Sequence, residues 1–288
     1  MLKITSIHSL TEEDLSLYSE RGEKQLYHAN EPSPGYFLAE SSKIMLRALS
    51  DGYVPKSVLI EDRILKKYMC PHGALTPDVE MLNMIDALNE TVEVYVLPHE
   101  QMIKTTGYNI TGGVLGLMKR RPLSSAAELL GALPIRERAR IVVLDDVENP
   151  INTGSIFRNS AAFGADAILL TNDCADPLYR RSARVSMGTV FQVPWTILQK
   201  DEDYIDLLNN IGFKTAALAL TSKSVDIDDA ALCKEQRLAI IMGNEGYGIP
   251  KERIQRSDYT VCIPMSNEVD SLNVAAASAV AIWQLCRK

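Results

Sequence analysis

Short apolar runs alternate with helix-patterned stretches along almost the whole 288-residue chain, and this alternation limits the possible fold more than any other feature. In the first half, GYFLA (35–39), SVLIE (57–61), VEVYVL (92–97) and GGVLGLM (112–118) read as strands. Between them, 41–52 reads as a helix with a serine cap and a glycine stop. Residues 78–89 carry Val79, Leu82, Met84, Ile85 and Leu88 near helical spacing, and 98–105 is a short helix. In the second half, strands are expected at 140–147, 167–170, 190–193, 214–220, 238–242 and 259–265. Helices are expected from an Asn152 cap to Phe163 with Gly164 as the stop, from near Pro177, at 202–211 and at 272–286. Such alternation predicts an α/β protein built in layers.

The stretch KRRPLSSAAELLGALPIRERAR (119–140) breaks the rhythm with two prolines, a Ser-Ser pair and clustered charge, and leaves room for a short helix at 124–131. It predicts a linker at 122–138 between a first domain, 1–121, with a flanking helix in 1–30, and a second domain, 139–288. The apolar runs fall short of the ~20 residues needed to span a bilayer. Acidic residues stand where a signal peptide would carry its hydrophobic stretch, so no export signal is read. Five cysteines, an odd number without a Cys-x-x-Cys pair, fit a reduced cytoplasm. Cys70 and His72 lie close together, but structural zinc takes four ligands, so no metal is expected.

A net charge of −7 argues against nonspecific coating of nucleic acid, yet it leaves room for a local basic groove. The candidates are Lys119-Arg120-Arg121, then Arg136, Arg138 and Arg140, then Arg180, Arg181 and Arg184. Each cluster alone reads as a solvated face. The first two flank the linker, which adds some weight to a basic groove there.

IIMGNEGYGIP (240–250) runs from an apolar strand into three glycines with a carboxylate among them. A dinucleotide site would need G-x-G-x-x-G opening a helix, whereas here the order is reversed, and Glu245 would repel a pyrophosphate. A plain tight turn remains open. Two other segments, ENPINTGSIFRNSAAFG (148–164) and IPMSNEVDSLNVAAASAVAIW (263–283), also pass from a strand into small, amide and hydroxyl residues. Ligands of α/β sheets bind outside the carboxyl ends of strands, so three such ends can converge on one crevice suited to a nucleoside-like ligand. Glu245 is then acceptable, facing a cation or pairing with Arg158.

The three segments resemble the three motifs of the SpoU (TrmH-type) branch of the SPOUT RNA methyltransferases. The residues are Asn149-Pro150-Ile151-Asn152-Thr153-Gly154 with Arg158, Gly243 to Gly248, and Ile263-Pro264-Met265 with Ser271-Leu272-Asn273-Val274. The resemblance covers roughly 140–288. The first domain more loosely resembles the ribosomal-protein-like α/β substrate domain that often precedes this catalytic domain. The resemblance implies a deep trefoil knot in the second domain, S-adenosylmethionine as cofactor, a homodimer, and methylation of a ribose 2′-hydroxyl in RNA. A separate N-terminal substrate domain suits a structured target, so rRNA is the expected substrate, with tRNA or a non-catalytic RNA-binding role as alternatives. Three positions depart from the family's pattern: Asn267 and Ser41 stand where glycine is usual, and Ala275 where serine is common.

Residue roles follow from the resemblance. All four histidines (His8, His28, His72 and His99) lie in the first domain and arginine is a poor base, so Arg158 is expected to hold the target phosphate and stabilise oxyanion charge, a rare neutral form that accepts the proton being the costlier alternative. Asn152 is expected to position the ribose or Arg158, Glu245 to orient Arg158 or a nearby backbone, and Ser271 and Asn273 to place substrate and cofactor. Gly243, Asn244, Gly246, Ile263, Met265, Leu272 and Asn273 are the expected cofactor contacts. Lys119, Arg120, Arg121 and Arg184 are the expected RNA contacts.

Overall fold

The computed structural model describes residues 3–5, 11–19, 23–28, 33–69, 79–88, 91–134, 138–200, 202–267 and 271–286. Cys70, His8, His72 and Arg136 lie outside the described residues. The chain divides into two compact units, Met1–Pro122 with Leu178–Phe191, and Leu123–Pro177 with Gln192–Lys288.

The first unit begins with β1 (Lys3–Thr5), α1 (Glu12–Ser19), α2 (Glu23–His28), β2 (Tyr36–Glu40) and α3 (Ser42–Ser50). It continues with β3 (Pro55–Glu61), α4 (Asp62–Met69), α5 (Val79–Ala87), β4 (Glu93–Leu97), α6 (His99–Thr106) and β5 (Val114–Lys119). Its five strands lie in the order β1-β4-β3-β5-β2, with β5 antiparallel to both neighbours and the other pairs parallel. Leu38, Leu59, Tyr95, Leu97, Leu115 and Leu117 from the sheet bury against Leu17, Tyr18, Leu26 and Met102 from helices. The flanking region is a short strand and two helices rather than the single helix expected.

The second unit holds α7 (Ala126–Gly131), β6 (Ala139–Leu144), α8 (Pro150–Phe163), β7 (Ala167–Leu170), β8 (Trp195–Ile197) and α10 (Tyr204–Asn210). After these come β9 (Lys214–Leu218), β10 (Val225–Asp226), α11 (Ala230–Lys234), β11 (Arg237–Met242), α12 (Lys251–Arg256), β12 (Tyr259–Cys262) and α13 (Val274–Cys286). The intervening α9 (Arg180–Val185) belongs to the first unit. Seven strands form one parallel sheet, β10-β12-β9-β11-β6-β7-β8. Continuous apolar runs such as IVVL and AIIM suit strands buried on both faces. One face packs Ile141, Val143, Leu169, Ala239 and Ile241 against Ala126, Leu130, Ile205, Leu208 and Phe213. From β6 the chain moves one way, to β7 and β8, and then returns to β9 and β11 on the other side. The strand order therefore reverses between β6 and β11, the place where sheets of this kind open a crevice.

Several expected boundaries move. Asn149, not Asn152, caps α8: its side chain accepts from Ile151 N at 2.9 Å, and Pro150 takes the first helical position, where its missing N–H costs nothing. The strand expected at 190–193 is a 3₁₀ turn at Thr189–Phe191, and the strand follows at Trp195–Ile197. The helix expected near Pro177 starts at Arg180, β6 ends at Leu144 and β12 ends at Cys262. The reading that ran one domain unbroken over 139–288 meets an exception at 178–191. There Phe191 stacks near Phe37 and Tyr53, with ring centroids 5.8 and 5.4 Å away, and Arg180 and Arg184 reach the buried Glu40 carboxylate at 3.2 and 3.5 Å. Within the stretch expected as linker, Ala126 and Leu130 are buried in the second unit's core.

Candidate active site

Three loops leave the carboxyl ends of β6, β11 and β12 and meet. The first is Asp145–Asn149, leading into α8. No acidic residue stands in the first turn of α8, although an anion is favourable at a helix N-terminus. Glu245 of the glycine loop supplies one from across the chain. Its Oε1 accepts from Asn152 Nδ2 at 2.7 Å and Asn149 N at 3.2 Å, and its Oε2 accepts from Glu148 N at 3.4 Å. The side chain of Asn152, buried within α8, passes the connection on, since its Oδ1 accepts from Asn273 Nδ2 at 3.3 Å. Asn273 also starts α13, accepting from Ala275 N at 2.9 Å. Glu245, Asn152 and Asn273 thus form one chain of hydrogen bonds through all three segments. The expected pairing of Glu245 with Arg158 is not formed, because the start of α8 occupies the carboxylate.

The glycine loop is tight. Asn244 and Gly248 exchange backbone bonds of 3.2 and 3.0 Å, while Asn244 Oδ1 accepts from Gly246 N at 2.7 Å. A Cβ on Gly243 would meet the Gly248 carbonyl carbon at 2.4 Å, and Gly248 sits at φ +71°. At Gly243 the close approach is therefore to the loop's own return, not to a ligand. Asn244 Nδ2 donates to Asp146 O at 2.9 Å, which ties the loop to the end of β6.

Beside this network lies a cavity of about 410 Å³ at the ends of β9, β11 and β12. Leu218, Leu220, Met242, Val261, Ile263, Met265 and Leu272 give it apolar walls, and Gly243, Asn244, Gly246 and Ser271 give it polar edges. The size falls in the range of small-ligand sites, and the mix of apolar walls with a few backbone and side-chain polar groups suits an adenosine-like molecule. Sequence reasoning named no residue from β9. No sequence pattern marked it: Leu220, just past the end of β9, reads as part of an ordinary apolar strand, and only the structure shows it 71% exposed at the cavity wall.

The profile of the SpoU rRNA methylase family matches residues 139–283. An uncharacterised tRNA/rRNA methyltransferase of Mycobacterium bovis is 32% identical over 236 residues, covering 81% of this chain and 80% of that protein. The chain belongs to the SpoU family. The 23S rRNA (guanosine(2553)-2′-O)-methyltransferase of Bacillus subtilis is 28% identical to this SpoU chain over 146 residues, which is 51% of the chain and 57% of the relative. Among solved structures, an AdoMet-bound rRNA methyltransferase from Sinorhizobium meliloti shares the fold with a TM-score of 0.74 at 24% identity, covering 98% of this chain and 97% of that one.

In the SpoU chain, Arg158 projects from the outer face of α8 and is exposed, with no ion pair or hydrogen bond among the described residues. Lys119 is exposed as well. The other basic candidates are already engaged. Arg120 donates to Tyr36 O at 3.2 Å, and Arg121 pairs with Asp51 at 2.8 Å while lying over the Tyr53 ring. Arg184 reaches Glu40 with half of its side chain exposed. Arg138 and Arg140 form no solvated face: Arg138 donates to Leu285 O at 3.0 Å, and the buried Arg140 to the carbonyls of Leu285, Glu235, Gln236 and Ala139. Burial lowers the Arg140 guanidinium to about 10, which leaves it charged at neutral pH.

Proposed function

We propose that this chain methylates a ribose 2′-hydroxyl in structured RNA, with ribosomal RNA as the substrate class and S-adenosylmethionine as the methyl donor. The observation that carries the reading is the hydrogen-bond chain Glu245–Asn152–Asn273, which joins the three family motifs beside an apolar-walled cavity lined by the second and third. S-adenosylmethionine supplies an electrophilic methyl group on a sulfonium when bound. The apolar walls hold an adenine face, while Gly243, Ile263 and Leu272 offer backbone groups to its edge and to the ribose. Ser271 lies at the mouth with a free hydroxyl among the described residues.

Arg158 does the electrostatic work. As a partner-free guanidinium it holds a phosphate and stabilises negative charge on the attacking oxygen, a kind of contribution worth roughly 10²–10³ in turnover at comparable sites. The first unit, with the exposed Lys119, serves as the RNA-docking domain. A homodimer and a deep trefoil knot belong to the same reading.

The test is Arg158→Ala. Affinity for S-adenosylmethionine, measured by calorimetry, is expected to stay within about twofold, while methyl transfer to RNA falls by roughly 10² or more. Incubation of the wild-type protein with labelled cofactor and separate rRNA and tRNA pools identifies the substrate. Label on a base rather than a ribose, or wild-type turnover in Arg158→Ala, would refute the corresponding part of the reading.

A further inference from the structure

A second cavity, about 210 Å³, opens at the same end of the sheet as the first but on the other side of the strand-order reversal. Its floor is formed by the ends of β6, β7 and β8, through Asp145, Asp146, Asn172 and Gln199. Methyl transfer needs two ligands, a donor and an acceptor, and this half of the crevice is polar where the other is apolar.

The wall facing the glycine loop is Asp146. It stands at φ +60°, and its N–H donates to Thr171 Oγ1 at 2.9 Å. Its carboxylate accepts from the Tyr247 hydroxyl. Burial and the nearby carboxylates of Glu148, Asp173, Asp145 and Glu245 push the Asp146 carboxyl up, so a further N–H donor there is favourable. Asp145, by contrast, is satisfied by Arg253 and by Tyr204, whose hydroxyl donates at 2.8 Å. Tyr247 is 67% exposed. The residue is held through its hydroxyl, which donates to Asp146, and through its backbone N–H, which donates to Asn244 Oδ1 at 3.4 Å. A rigid, exposed aromatic ring beside a polar recess is the arrangement that captures an unstacked base.

We propose that this polar cavity reads a splayed-out nucleobase of the RNA segment being methylated. Asp146, Asn172 and Gln199 hydrogen-bond its amino-bearing edge, and the Tyr247 ring supplies the stacking face. A carboxylate accepts from an exocyclic amino group, whereas uracil has none and brings only N3–H, flanked by two carbonyls that the carboxylate repels, so adenine, cytosine or guanine is preferred over uracil. The inference rests on the methyltransferase reading for its biological role, but not for the binding itself.

The experiment uses the full-length protein and labelled hexauridylate, unsubstituted or with one central adenosine, cytidine or guanosine. Fluorescence anisotropy without cofactor reads binding. The wild type is expected to bind at least one amino-bearing oligomer about tenfold more tightly than hexauridylate. Asp146→Asn, which replaces the carboxylate with a carboxamide, abolishes that preference, Tyr247→Ala weakens every oligomer about tenfold, and Tyr247→Phe retains most of the affinity. Unchanged affinity for S-adenosylmethionine shows that the variants are folded. A wild type that treats all four oligomers alike, or variants that keep the preference, overturn the proposal even where methyl transfer is intact. Conversely, base-selective binding without any methyl transfer supports the pocket and refutes the enzymatic reading instead.

Discussion

Ser41 is held at φ 92°, ψ 153°, a region that glycine occupies freely and a side chain enters only under strain, costing of order 1–3 kcal/mol. Its hydroxyl returns little, accepting from Ile44 N at 3.5 Å at the start of α3. Glycine costs roughly 0.5–1 kcal/mol in backbone entropy, so Ser41→Gly is expected to stabilise the protein by about 1 kcal/mol. A higher urea midpoint with an unchanged slope would register this, and an unchanged or lower midpoint would mean that the serine cap outweighs the strain. Asn267 departs from the family in the same way and sits at φ +60°, but asparagine tolerates that conformation. Asn267→Gly is therefore expected to change stability by less than about 0.5 kcal/mol in the same measurement. The turn keeps a glycine-like backbone despite the substitution. Both departures were visible in the sequence, but what they mean depends on a backbone angle that no side-chain pattern reveals. Glu245 teaches a similar lesson. A carboxylate among glycines looked as though it faced a ligand cation or Arg158, whereas it completes the N-terminus of a helix whose cap, Asn149, stands 96 residues earlier in the chain.

At the scale of elements, strands were legible because a run such as IVVL or AIIM buried on both faces must be continuously apolar. Helix ends were less so. Asn149 and Asn152 are both good caps, and only the proline between them, at the first helical position, decides which one caps. Arg138 and Arg140 were the hardest to read, because a basic pair looks the same whether it meets water, RNA or protein carbonyls. In the fold they gather the ends of α11 and α13, where cations favour the helix dipole. Arg140 alone donates to four carbonyls, and its own charge is buried. Arg140→Ala leaves those acceptors without their donor and is expected to destabilise the protein by about 3 kcal/mol or more. Arg140→Lys retains the charge but not the planar fork, and should recover only part of the loss. Thermal denaturation of the three proteins in parallel checks both statements. Wild-type stability in Arg140→Ala would return the pair to the solvated face that its sequence suggests.

The whole molecule is two units joined where the chain passes between them at three places, after Pro122, Pro177 and Phe191. The excursion over 178–191 was not legible, because the residues that secure it, Glu40 and Arg180, stand 140 positions apart. The oligomeric state is a question at the same scale, and α13 bears on it. One side of this helix packs through Ala281, Ile282 and Leu285 and receives Asn159 of α8, whose Nδ2 donates to Ala275 O at 3.0 Å and Ser278 Oγ at 2.8 Å. The opposite side is apolar too: Val280 is 39% and Trp283 46% exposed, three residues apart and so on neighbouring positions of one face. On α8, Ile151 is 43% exposed. A helix apolar on every side is ordinarily covered on every side, and no helix of the described residues is long and apolar enough to cross a membrane. A second copy of the chain, meeting the same face by two-fold symmetry, is the simplest cover. It would also carry a second Arg158 toward the first, since that residue shares the outer side of α8 with Ile151. Trp283→Glu sets a carboxylate at the centre of this face. Light scattering at micromolar concentration is expected to give twice the chain mass for the wild type and the single-chain mass for Trp283→Glu. Methyl transfer should fall with the dimer, while affinity for S-adenosylmethionine persists if the apolar cavity is complete within one chain. A monomeric wild type, or a variant that remains dimeric, removes α13 from the interface. If affinity for S-adenosylmethionine is lost along with the dimer, the partner must help to shape the cavity.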